Sequence, residues 1–217
     1  MTRGTRPPVS RKRPARRQRR KAARPTELAQ AALALFLERG FDATRLEDVA
    51  ARAGVAKGTV YLYYASKDAL FDGVMRQAIL PAVERGEQRL DRFRGTTGKL
   101  LHEILRDWMQ LMMETPLGGV PSLVASESRK FPALARVFHD TVMARARRLV
   151  RSVLERGVQR GEFRIADLDM TAEVITGALL MHAVGRYSPG FHAAEAPDPY
   201  RYIEVLVDLA LKGVAAD

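Results

Sequence analysis

Cationic, hydroxyl and tyrosine side chains crowd into one short stretch of the chain, residues 44–67. Within it Lys57 and Tyr61 are four residues apart, as are Thr59 and Tyr63, so each pair shares an outer side if the segment is helical. Ammonium and phenol groups donate hydrogen bonds to phosphate oxygens and to the edges of bases. The pattern therefore predicts binding to DNA rather than the making or breaking of bonds.

Two short helices joined by a tight turn would position these side chains. Thr44 and Glu47 match a capping box, in which a hydroxyl and a carboxylate each bind a backbone N–H at the start of a helix. Gly54 permits the turn, and Gly58 leaves room for close backbone approach in a second helix of about residues 57–64. The apolar residues expected to face inward are Leu46, Val49, Ala50, Ala53, Val60 and Tyr64. This is a helix-turn-helix, whose second helix enters the major groove of DNA.

The rest of the sequence lacks residues spaced for catalysis or metal binding. There is no cysteine, and the histidines at 102, 139, 182 and 192 do not have the spacing of metal ligands. The glycines between Arg94 and Lys99 are too close together, with no preceding strand, for a phosphate-binding loop. We therefore expect no enzyme activity, no cofactor and no metal.

The positive charge of the chain is concentrated at its N-terminus. Residues 1–24 hold eleven of the 36 Lys and Arg and no acid, so the remaining 25 basic residues balance the 25 acidic ones. This stretch has almost nothing apolar, which predicts a disordered basic arm that attracts a polyanion such as DNA. A tail that merely aids solubility is the alternative. Immediately after this arm, we expect the first helix to run from about Pro25 to Arg39.

The remaining two-thirds of the chain predict further helices and no strands, so the fold is expected to be all-α. A long helix from Lys67 should kink or end at Pro81, and another, about residues 99–114, carries the single tryptophan and three methionines. Such residues fill irregular cores, but they also suit the wall of a pocket for an apolar molecule. The candidate pocket residues are Leu105, Trp108, Met109, Met112, Phe138, Met181 and His182.

The last helix, about residues 200–214, is apolar on nearly every side except for a stripe of Glu204, Asp208 and Lys212. One apolar face can pack on its own domain, and the other needs a partner. We predict a homodimer built on the last two helices; a helix deeply buried within a monomer is the alternative. No segment approaches the roughly 18 apolar residues of a membrane span. We expect a cytoplasmic protein without membrane contact.

The stretch from Phe41 to Leu70, FDATRLEDVAARAGVAKGTVYLYYASKDAL, resembles the signature of the TetR/AcrR (tetracycline-repressor) family, over about residues 26–72. Two positions depart from the commoner pattern, Tyr64 in place of phenylalanine and Ala56 in place of serine. The resemblance implies a dimeric bacterial repressor with an effector-binding C-terminal domain. By position it implies DNA contacts at Thr44, Arg45, Lys57, Gly58, Thr59, Tyr61, Tyr63 and Lys67.

These expectations give three segments: a basic arm at 1–24, a DNA-binding domain at 25–72 and a ligand-binding and dimerisation domain at 73–217. The leading hypothesis is a ligand-responsive regulator, a repressor that binds a near-palindromic operator on double-stranded DNA as a dimer. A small, apolar effector would release it. The alternative is a loosely specific architectural DNA-binding protein dominated by the basic arm.

Overall fold

The computed structural model describes residues 14–188 and 198–214, and in these ranges the chain forms eleven α-helices and no strand. The all-α prediction is confirmed. The helices are α1 (Pro14–Ala43), α2 (Leu46–Arg52), α3 (Lys57–Tyr63), α4 (Lys67–Val74), α5 (Leu80–Arg92), α6 (Thr97–Glu114), α7 (Gly119–Glu127), α8 (Pro132–Phe138), α9 (Ala144–Gln159), α10 (Leu168–Tyr187) and α11 (Pro199–Val214). A 3-10 turn, Pro116–Gly118, precedes α7.

Helix α1 begins at Pro14, eleven residues before the predicted start at Pro25. Proline suits a first helical turn, and the Ala, Arg, Lys and Gln that follow are strong helix formers. Pro14–Arg24 are thus helical rather than disordered as predicted, while residues 1–13 of the predicted arm lie outside the described residues. The regular helix is interrupted at Gly40, where φ is +82°.

The N-terminal helices pack around three phenylalanines. The ring of Phe36 lies 5.2 Å from that of Phe41 and 6.0 Å from that of Phe71. Buried residues of α7 and α8, including Leu134 and Phe138, belong to the same cluster. The predicted domain boundary at residues 72 and 73 therefore falls inside α4, in a core shared by both parts of the chain.

Pro81 does not end the helix that begins at Lys67. A π-helical turn, Met75–Ile79, joins α4 to α5, and the N–H of Leu80 donates to the carbonyl of Met75, five residues back. The wider turn accommodates a proline that cannot donate and whose ring crowds the previous turn. A second π-turn, His139–Met143, joins α8 to α9. One continuous helical path thus leads from the N-terminal helices into the rest of the molecule.

A second core lies between α5, α6, α9, α10 and α11, with Leu101, Val153 and Ile203 among its most buried residues. Asp167 caps α10, because its Oδ1 accepts from the N–H of Met170 at 2.9 Å. Within the described ranges no helix is long and apolar enough to cross a membrane. The two cores place α8 and its π-turn between the N-terminal helices and the second core.

Candidate nucleic-acid interface and ligand cavity

The turn between α2 and α3 has the geometry of a helix-turn-helix. Gly54 adopts a left-handed φ of +64°, and the N–H of Val55 donates back to the carbonyl of Ala50 at 2.9 Å. Leu46, Val49 and Ala50 anchor α2 in the core. Val60 is the one residue of α3 that is fully buried. Most of α3 therefore faces away from the core.

Thr44 does not cap α2, so the predicted capping box is wrong. Its side chain is buried, and its hydroxyl donates to the carbonyls of Leu35 at 3.2 Å and Gly40 at 2.8 Å. The N-cap is Arg45, whose N–H donates to Asp48 Oδ2 at 3.3 Å. The Thr44 hydroxyl thus joins α1 to α2 and does not point to solvent as a DNA contact requires.

Because Arg45 rather than Thr44 is the N-cap, the Glu47 side chain is not part of a capping box. Its carboxylate instead binds the side chains of two residues that were predicted to contact DNA. Its Oε1 lies 2.7 Å from Lys57 Nζ and accepts from the Tyr61 hydroxyl at 3.2 Å. The hydrogen bond from Lys57 lowers the pKa of Glu47, and the same bond raises the pKa of Lys57. Because these side chains are exposed, the lysine can exchange the carboxylate for a phosphate.

Lys67 lies behind this surface rather than on it. Its Nζ donates to the carbonyls of Phe41 at 2.6 Å and Asp42 at 2.9 Å, and it sits 4.5 Å from the centre of the Phe41 ring. Partial burial lowers its pKa. Lys67 therefore links α4 to the end of α1. Its ammonium group, which was predicted to contact DNA, is bound within the protein.

The other predicted contacts lie at the surface. Arg45, Lys57, Gly58 and Tyr61 are exposed, and Thr59 and Tyr63 are half-buried. Sequence reasoning missed Leu62, whose side chain is 82% exposed on α3. The signal was present, since Val60 and Tyr64 already accounted for the buried stripe of this short helix.

An apolar cavity of about 70 Å³ lies between α5, α6, α9 and α10. Three predicted pocket residues, Leu105, Trp108 and Phe138, line it, and Met143 of the second π-turn adds a flexible wall. Phe138 also belongs to the N-terminal core. A molecule in this cavity would therefore touch a side chain that packs against the DNA-binding helices.

Four predicted pocket residues do not line the cavity. Met109 and Met112 are buried in the cores instead, 1% and 2% exposed. Met181 is half-exposed on the outside of α10. His182 is buried with its ring stacked on Tyr202, the ring centres 4.3 Å apart. Helical periodicity indicates that such residues are apolar and inward, but it does not distinguish a packed core from a cavity wall.

The outer sides of α10 and α11 expose large apolar side chains. On α10, Val174 is 63% exposed, and on α11, Leu209 is 64% exposed. The opposite side of α11 is buried through Ile203 and Val207. The last helix thus covers one apolar face and leaves the other open, so it is not deeply buried within a single chain.

Among the described residues, no group of three or more His, Asp or Glu side chains is placed to hold a metal ion.

Comparison with known proteins gives two family matches. The model described as bacterial regulatory proteins, tetR family, matches residues 28–74, and that described as tetracyclin repressor-like, C-terminal domain, matches residues 94–196. The HTH-type transcriptional regulator YdeS of Bacillus subtilis is 28% identical over 87% of this chain and 88% of its own length.

Two further proteins are similar over most of the chain. The HTH-type transcriptional repressor KstR2 of Rhodococcus jostii is 26% identical over 87% of this chain and 91% of its own. The solved structure of the Bacillus subtilis transcriptional regulator FadR in complex with stearoyl-CoA superposes with a TM-score of 0.74 at 20% identity. That superposition covers 87% of this chain and 98% of the other.

Proposed function

The chain belongs to the tetR family of bacterial regulatory proteins, and from that premise we propose that it is a ligand-responsive repressor of transcription. In this proposal a homodimer binds a near-palindromic operator, and a small molecule in the cavity releases it. The observation that carries the proposal is α3, a helix that follows a tight turn and buries only Val60 fully.

The exposed side of α3 would enter the major groove. Lys57 and Tyr61 can donate to phosphate oxygens, while Thr59 can hydrogen-bond and Leu62 can pack against the methyl group of thymine. Gly58 allows close approach of the helix backbone. Thr44 and Lys67 would support this surface from behind, through the carbonyls of Leu35, Gly40, Phe41 and Asp42 that their side chains bind.

The open apolar faces of α10 and α11 support the homodimer. Exposed apolar area of this kind marks a protein–protein contact when it is contiguous. A second copy presents the same faces, and a two-fold axis then pairs them. Two α3 helices held in fixed register would require two operator half-sites with matching two-fold symmetry.

The position of Phe138, in the cavity wall and in the N-terminal core, supports control by a ligand. Beside it, the Thr141 hydroxyl of the second π-turn donates to Asp72 of α4 at 3.0 Å. A ligand that displaces this region would move α4 and thereby the spacing of the two α3 helices. Release requires that the ligand bind the arrangement unable to hold DNA more tightly than the other.

The test is selection of bound sequences from random duplex DNA by the full-length protein, repeated over a range of salt. We expect enrichment of a near-palindrome that survives moderate salt and an excess of competitor DNA. If all preference disappears at moderate salt, the protein is instead a loosely specific architectural DNA-binding protein driven by its basic N-terminus.

A further inference from the structure

An open groove along α5 adjoins the apolar cavity. The groove has a volume of about 360 Å³ and is lined by Arg85, Gln88, Arg89, Arg92 and Phe93. Arg85 also lines the cavity, so the two spaces meet at its side chain. One side of the junction is a small apolar cavity, and the other is an open surface groove that carries three arginines.

Helix α5 separates its charges onto two sides. Two of its three acidic residues, Glu84 and Glu87, face Arg145 of α9, whose guanidinium donates to Glu87 at 2.7 and 2.9 Å. The third, Asp91, lies on the same side as these two by helical spacing. Arg85, Arg89 and Arg92 repeat at helical spacing on the side facing the groove. The carboxylates of α5 that pair with Arg145 are thus directed away from these three arginines.

The positive charge of the groove is only partly neutralised. Arg89 Nη1 lies 2.9 Å from Oδ2 of Asp107, an acidic residue of the cavity lining, and 3.6 Å from Oε2 of Glu103. The side chains of Arg85 and Arg92 make no hydrogen bond or ion pair with any residue that the structure describes. The guanidinium of Arg85 at the junction, and that of Arg92 further along the groove, are therefore available to an anion.

We propose that the joined space binds an amphipathic anion, with an apolar chain in the cavity and a carboxylate or phosphate group against Arg85, on the side of α5 that also carries Arg92. Guanidinium groups bind both anions with paired, charge-assisted hydrogen bonds. A neutral apolar molecule would leave these arginines unused. The inference rests on the proposed effector role of the cavity and specifies the chemical class of the effector.

Trp108 provides a direct measurement, because it is the only tryptophan of the chain and lines the cavity. The full-length protein is titrated with decanoate, decyl phosphate and decanol below their aggregation concentrations, and the fluorescence of Trp108 is followed. We expect the anion with the higher affinity to bind at least about tenfold more tightly than decanol. The order of the two anions identifies carboxylate or phosphate as the preferred group.

The Arg85→Gln variant should lose most of this preference, measured as the ratio of the anion affinity to the decanol affinity of the same variant. Arg85→Lys should keep part of it, since the charge remains without the paired donors. Arg164→Gln is the matched control, because Arg164 is an exposed arginine that lines neither space. Thermal unfolding of the unliganded variants establishes that each one is folded.

Three outcomes overturn the inference: decanol binds as tightly as both anions, Arg85→Gln behaves like Arg164→Gln, or none of the three molecules changes the fluorescence. Release of DNA is measured separately. If the anions bind through Arg85 but leave operator binding intact, the effector role is wrong and the anion site stands.

Discussion

Glu47 accepts hydrogen bonds from Lys57 and Tyr61 and so orients two α3 side chains before DNA is bound. In the proposed complex, phosphate replaces the carboxylate. We expect Lys57→Ala to weaken operator binding and to lower the slope of log K against log salt by about one, the loss of one phosphate contact. Fluorescence anisotropy of a labelled operator over a salt series measures both the affinity and its salt slope.

Lys99→Ala is the control for this experiment, since Lys99 is an exposed lysine of α6 away from α3. Tyr61→Phe removes only the hydroxyl and should weaken binding less than Lys57→Ala. Thermal stability should change little in either variant, because both side chains are exposed. An unchanged salt slope for Lys57→Ala would mean that this side of α3 does not face phosphate.

Leu62 is the most exposed large apolar side chain of α3, and it belongs to neither core. We expect Leu62→Ala to leave the thermal midpoint unchanged and to weaken operator binding about tenfold, because apolar contact with the groove is lost. Val60→Ala is the contrasting variant, since it should lower the midpoint through the core. Operator affinity equal to that of the wild type would exclude Leu62 from the interface.

At the scale of elements, the corner between α7 and α8 holds the end of α1. Glu127 Oε1 accepts from the N–H of Phe41 at 3.1 Å, Lys130 pairs with Asp42, and the rings of Phe41 and Phe131 lie 5.1 Å apart. Backbone carbonyls in the same stretch of α1 accept hydrogen bonds from Lys67 of α4. This corner therefore ties the C-terminal helices to the helix-turn-helix at its base.

We expect Glu127→Ala to destabilise the protein by about 1–2 kcal/mol, because a buried N–H of Phe41 loses its acceptor. Glu127→Gln keeps an amide oxygen in nearly the same place and should cost less than half as much. Urea unfolding followed by circular dichroism compares the two. Equal losses would show that the charge of Glu127, rather than its role as acceptor, stabilises the corner.

The elements themselves could be predicted where their ends depend on local chemistry. The turn at Gly54 follows from neighbouring residues in the sequence and is confirmed, and the Asp167 cap of α10 depends on local chemistry of the same kind. The start of α2 could not be decided in this way, because Thr44 and Arg45 each have an acid three residues ahead. The carbonyls of Leu35 and Gly40 select between them, and those contacts exist only in the folded chain.

The cavity shows the same limit at a larger scale. Trp108 and Met109 are neighbours on α6, yet one lines the cavity and the other is buried in the core. Which inward residue meets a void depends on how four helices pack, and a single sequence does not encode that as a pattern. The basic groove was likewise missed, since its arginines are interleaved with acids along α5.

At the scale of the whole molecule, the open faces of α10 and α11 predict that association and DNA binding fail together. We expect Val174→Asp with Leu209→Asp to give a monomer, because two charges would be buried at the contact. Val158→Asp is the matched control, since Val158 is exposed on α9, away from these faces. The oligomeric state, by analytical ultracentrifugation, and the operator affinity are measured for the double variant and the control. A double variant that remains dimeric would contradict this interface.

The basic N-terminus is the other feature that acts through the molecule as a whole. Beyond residue 24 the chain has equal numbers of basic and acidic residues, so these residues bring no net positive charge to DNA. Residues 1–13 contain five Lys and Arg, and Pro14–Arg24 add six more at the start of α1. Attraction to the phosphate backbone at long range should therefore depend on these two segments.

Deleting residues 1–13 should flatten the slope of log K against log salt, and deleting residues 1–24 should flatten it further. Each phosphate contact that is lost changes the slope by about 0.9. The sequence preference of the truncated proteins should be kept, because base contacts lie on α3. If the slope is the same in all three proteins, the arm does not neutralise phosphates; if preference is lost along with the slope, the arm itself reads the operator.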